Sequence, residues 1–156
     1  MKIRNLPFIL FVIFACSFFC YPQKATEKTL TKADLSKTPS QTIKATPAFA
    51  ELLLRKTERE AQLEEFLLDY TDEYPKVKEI KFELTLLQKQ MSKISAVNAS
   101  DAPKLSLALG RLLVRKTELD VDLWNLLRQY NAEHPEVKRA KRKVEVYEKA
   151  IKEILP

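Results

Sequence analysis

A single glycine in 156 residues excludes most of what glycine supplies: β-hairpins closed at positive φ, and phosphate or dinucleotide loops in which backbone must approach a ligand. Histidine also occurs once, at His134, and cysteine twice, at Cys16 and Cys20. Both cysteines lie in an apolar N-terminal segment, so a chain cleaved after it has no thiol for a disulfide, a nucleophile or a metal site. One imidazole without thiols leaves only scattered carboxylates as metal co-ligands. No catalytic, cofactor-binding or metal-ligating residue is assigned from the sequence, and no enzyme is expected.

What remains is rich in Leu, Lys, Glu, Ala and Arg, with 31% charged residues, a composition that points to long helices. The first segment, "MKIRNLPFILFVIFACSFFCY", joins Lys2 and Arg4 to an apolar run broken only by Ser17. It reads as a signal peptide over 1–21, its rival being a short N-terminal membrane anchor, because a span takes about 20 apolar residues. Ala15 and Ser17 suit cleavage after small residues; a lipoprotein alternative places Ile13, Phe14 and Ala15 before an acylated Cys16. Removing Lys2 and Arg4 takes the formal charge from +6 to +4. An exported, mildly basic chain argues against nucleic acid as a partner and leaves anionic polysaccharide, lipid headgroups or acidic protein surfaces. Residues 22–45, rich in Thr, Lys, Ser and Pro, read as a flexible linker.

The central feature is an internal repeat. Residues 52–96 laid over 112–156, an offset of 60, share 16 identities in 45 positions, so one structural unit occurs twice. After Pro75 the apolar residues Val77, Ile80, Leu84, Leu87, Met91 and Ile94 alternate at spacings of three and four. After Pro135, Val137, Ala140, Val144, Tyr147, Ile151 and Ile154 repeat the pattern at the same offsets. Each set forms one stripe on a helix. The expected fold is all-α: two tandem helical hairpins of four helices, over 46–95 and 103–156 with a loop at 96–102. They form an antiparallel coiled coil or an up-down-up-down bundle, or extend and pair with another copy. Thr46 before Pro47 is an expected N-cap, and Ser100 or Asp101 is expected to cap the third helix.

Comparison of the two units reads His134 against itself. Its counterpart is Tyr74, which cannot replace it as a base near neutral pH, whereas Pro75 and Pro135 are shared. Proline in a first helical turn lacks only an N–H that has no helical partner, and it keeps the preceding residue out of helical geometry. Tyr70, Tyr74, Pro75 and Val77, with Tyr130, His134, Pro135 and Val137, are thus expected to form a structural turn motif. The repeated block Arg55-Lys56-Thr57-Glu58 and Arg115-Lys116-Thr117-Glu118 is either a solvated face or a polar stretch that fixes hairpin register by pairing with the opposite helix. Trp124, in place of Glu64, packs between the hairpins or meets a partner, and Gly110, in place of Ala50, allows close helix approach. Lys138, Arg139, Lys141, Arg142 and Lys143 begin the last helix, where cations oppose the helix dipole. This basic cluster is either solvated or a contact for an anionic partner.

At "LEEFLLDYTDEYPKVKEI" and "LWNLLRQYNAEHPEVKRA" the pattern of Leu, Tyr, then His-Pro-x-Val resembles the helical hairpin in the periplasmic part of polysaccharide chain-length determinant and exopolysaccharide-transport proteins. Tyr130, His134, Pro135 and Val137 match it, as do Tyr70, Pro75 and Val77 with Tyr74 replacing His. The resemblance covers the two turns and implies a Gram-negative envelope setting, helix-mediated assembly and a non-catalytic turn. The expected function is a non-enzymatic exported structural or interaction module of the cell envelope, in the periplasm or on the membrane and linked to polysaccharide export. It would work through a protein partner or by self-association along its helix seams. The alternative is a binding module for an anionic glycan or lipid surface through the basic start of the last helix.

Overall fold

The computed structural model describes residues 39–155. The expected export segment 1–21, with Cys16 and Cys20, and the linker residues 22–38 lie outside the described residues. What is described is all-helical: α1 (Pro39–Lys44), α2 (Pro47–Asp69), α3 (Pro75–Ser95), a 3-10 helix (Ala99–Lys104), α4 (Leu107–Gln129) and α5 (Pro135–Ile154). Among the described residues there is no strand, and no helix is long and apolar enough to cross a membrane.

Six helices stand where the sequence reading expects four. The two additional ones are short: α1 closes the segment read as linker, and the 3-10 helix occupies much of the segment read as loop. Six residues are too few for a hydrophobic period to register, yet each has an apolar reason to order. Ile43 of α1 and Leu105, directly after the 3-10 helix, are both buried in the main core. Thr46 caps α2 as expected, its hydroxyl donating to the Ile43 carbonyl at 2.7 Å and accepting from the Phe49 amide. The cap of α4 is Ser106 rather than Ser100 or Asp101, because Pro103 lies inside the 3-10 helix and the long helix begins only after it.

The repeat extends to these short elements. Starts at Pro39 and Ala99, at Pro47 and Leu107, and at Pro75 and Pro135 are all 60 residues apart. In space, α2 packs along α3 and α4 along α5, while α4 also packs on both α2 and α3. The core lies where these helices converge, around Leu52, Leu87, Ile94, Leu105 and Leu109, which are almost wholly enclosed. Each such side chain stabilises the fold by about 1.5–3 kcal/mol relative to exposure.

The two units are unequal in burial despite equal spacing. On the α3 stripe Val77, Ile80, Leu87, Met91 and Ile94 are all buried. On the matching stripe of α5 only Val137 is, and Ala140, Val144, Tyr147, Ile151 and Ile154 stay partly open. The cause is position. The α2/α3 unit is covered by α4, whereas α5 has α4 as its principal neighbour.

Candidate functional site

The turn motif is assembled in both units. Tyr70 stacks on Tyr74 with ring centroids 4.1 Å apart, and Tyr130 stacks on His134 at 4.2 Å. Pro75 and Pro135 open their helices, and Val77 and Val137 are buried one turn in. His134 adds one interaction that Tyr74 cannot make: its Nδ1 accepts from the Glu136 amide at 3.3 Å, so the imidazole serves as the N-cap of α5. Among the described residues no group of three or more His, Cys, Asp and Glu side chains is placed to hold a metal ion.

The basic cluster divides into two kinds of side chain. Lys138 pairs with Glu133 at 2.7 Å and Arg139 with Glu136, while Lys141 is half-buried and Arg142 and Lys143 project into solvent. Between α4 and α5 runs a cleft of about 520 Å³ lined by Leu119, Asp122, Asn125, Leu126, Glu136, Arg139, Ala140 and Lys143. Its apolar floor is flanked by both acidic and basic side chains.

A polar network missed in the sequence reading lies at the meeting of α2, α3 and α4. Glu83 of α3 is only 5% exposed and accepts from Arg55 Nε at 3.1 Å and Arg59 Nε at 2.9 Å. Arg55 also reaches Glu118 of α4 at 2.8 Å. The two RKTE blocks thus meet each other across α2 and α4, between the two hairpins. Glu83 carried no signal, since the second unit has Lys143 in its place.

In the same α3–α4 contact, Trp124 of α4 stacks on Phe82 of α3 at 4.8 Å, and the Arg128 guanidinium lies over the Trp124 ring at 4.7 Å. Asn125 donates to Glu79 at 2.8 Å. Burial pushes the Glu79 carboxyl up, but hydrogen bonds from Lys76 and Asn125 and the charges of Lys76 and Arg59 outweigh it. The group therefore titrates below its ordinary 4.5. At the other end of the contact Gly110 sits against α2 so closely that a Cβ there would stand 2.8 Å from Glu51 Cβ and 2.9 Å from Ala48 Cα. Helix on helix at that distance requires glycine.

Comparisons with protein-family models, with curated proteins and with solved structures give no match for this chain.

Proposed function

We propose that the chain is an exported, non-enzymatic interaction module of the bacterial cell envelope, built as two tandem helical hairpins and acting through the open face of the second. The observation that carries this reading is the contrast between α3, whose apolar stripe is buried except for half-buried Leu84, and α5, whose identical spacing leaves it partly open beside a charged rim of Asp122, Glu136, Arg139 and Lys143. Apolar stripes left open beside charged rims are characteristic of surfaces that bind. The link to polysaccharide export rests on the resemblance of the two turns alone.

A second reading has its own observation. Arg142 and Lys143 are exposed on the first half of α5 and paired with no carboxylate of the chain among the described residues, so an anionic glycan or lipid headgroup is the alternative occupant.

The test is fractionation of cells producing the full-length chain, followed by chemical cross-linking. The chain is expected in the envelope fraction, in cross-linked complexes that R142E/K143E abolishes. Recovery in the cytoplasm, or complexes indifferent to that variant, overturns the reading. Loss of retention on an anionic glycan without change in protein complexes selects the alternative.

A further inference from the structure

The repeat makes the α4/α5 cleft interpretable, because the corresponding cleft of the first unit is filled. There, α4 lies over α2 and α3 and, beside apolar packing, makes three polar or aromatic side-chain contacts: Glu118 with Arg55, Trp124 with Phe82, and Asn125 with Glu79. Moving the seat forward by the 60-residue offset replaces Arg55, Phe82 and Glu79 by Arg115, Arg142 and Arg139. Moving α4 back by the same offset replaces Glu118, Trp124 and Asn125 by Glu58, Glu64 and Glu65 of α2. Each of these three contacts becomes an arginine facing a glutamate in the second seat.

The face of α2 that would enter the cleft is open in this chain. It corresponds to the face of α4 carrying Gly110, Leu113, Val114, Glu118 and Val121. On α2 it carries Ala50, Leu53, Leu54, Glu58 and Ala61, which are all exposed, Leu54 by 58%. One turn beyond Glu64, Leu68 is 85% exposed. Large leucines on a surface call for cover; Leu53 and Leu54 map by the offset onto buried Leu113 and half-buried Val114 of α4, and Leu68 maps onto exposed Arg128, which lies over Trp124.

We infer that the α4/α5 cleft is the seat for α2 of a second copy of this chain, which docks head to tail as α4 docks on the first unit. The pairs Arg115–Glu58, Arg142–Glu64 and Arg139–Glu65 cross the interface, and Leu53 and Leu54 supply its apolar part. Such a contact uses two different faces, so it repeats from copy to copy until a ring closes or a filament grows. The same arrangement lets each unit of a repeat protein cover its neighbour. Ala50 stands where the intrachain seat has Gly110. Its Cβ holds the incoming helix farther out than α4 lies, and the contact between copies is accordingly looser and reversible.

This inference rests on the interaction-module reading, but the two fail separately. The full-length chain, purified in mild detergent, is followed by density-matched sedimentation equilibrium over a wide concentration range. The wild-type chain is expected to assemble beyond two copies, less so as salt rises. R142E and E64R are each expected to raise the apparent Kd by about tenfold or more through like-charge contact. An equimolar mixture of R142E and E64R recovers wild-type assembly, because every interface then joins opposite charges. Circular dichroism of each variant separates lost docking from lost folding. A wild-type chain that stays single-copy, assembly indifferent to both substitutions, or a mixture that recovers nothing overturns the inference. So does an R142E chain whose sole defect is weaker binding to phosphatidylglycerol vesicles, which assigns Arg142 to a lipid surface. Envelope complexes that survive while the purified chain stays single-copy remove this inference and leave the interaction module standing.

Discussion

Arg55 and Glu118, drawn from two copies of one RKTE block, meet at 2.8 Å across α2 and α4, 63 residues apart in sequence. Arg55 brings with it Glu83, the most enclosed carboxylate of the network. Removing one partner of a buried pair leaves the other desolvated and uncompensated. Glu83→Ala is expected to cost about 2–4 kcal/mol, whereas Glu118→Gln, which keeps a hydrogen-bond acceptor at a more exposed site, should cost about 1 kcal/mol. Urea unfolding followed by the fluorescence of Trp124 measures both.

Gly110→Ala inverts the usual sign of a glycine replacement. At an open helical site alanine gains about 1 kcal/mol over glycine, but here the new methyl would press on Ala48 Cα and Glu51 Cβ. The expected net loss is about 1–3 kcal/mol. The matched control, Ala50→Gly on the exposed face of α2, should lose about 1 kcal/mol through helix propensity alone. Thermal unfolding of the pair separates crowding from propensity.

His134→Tyr recreates the turn of the first unit, keeps the ring stack and loses only the N-cap bond, so it should cost about 0.5 kcal/mol. His134→Ala removes both the ring stack on Tyr130 and the N-cap bond to Glu136, and is expected to cost about 1 kcal/mol. Chemical unfolding checks both, and a large loss in the tyrosine variant would restore a special role to the imidazole.

Glu79 sets an acid limit on the α3–α4 contact. Its carboxyl titrates below 4.5 in the folded chain, so ionised Glu79 stabilises the fold at neutral pH. That contribution is fully present above its unfolded pKa and is lost as pH falls through the lower folded value. Asn125→Ala takes away one hydrogen bond to the carboxylate and should move its titration upward, read directly from the Glu79 side-chain carbons by NMR. An unmoved titration would show that Asn125 does not hold the charged form.

The helices, the 60-residue repeat, the Thr46 cap and the proline-opened turns were legible because each follows from local chemistry: apolar spacing, a hydroxyl before Pro47, a ring that cannot enter a helix interior. The short helix containing Ile43 and the 3-10 helix before Leu105 were not, since one apolar residue makes no period. Nor did the sequence separate α3 from α5. Spacing tells which side chains share a stripe, and both stripes match at every offset. Whether Leu87 is buried and Tyr147 half-open depends on what lies above the stripe, and that is decided by another unit of the chain. Glu83 was illegible for the same reason, because its two arginines belong to a different helix 24 and 28 residues away.

Gly110 also makes the two halves of a duplicated chain distinguishable to each other. A unit bearing Ala50 goes first and a unit bearing Gly110 goes second, since only the missing methyl admits the tight crossing onto the predecessor. A chain rebuilt with its halves exchanged would present alanine where the crossing leaves no room, and one extended by a third unit would need another glycine, 60 residues on, for that unit to seat as closely.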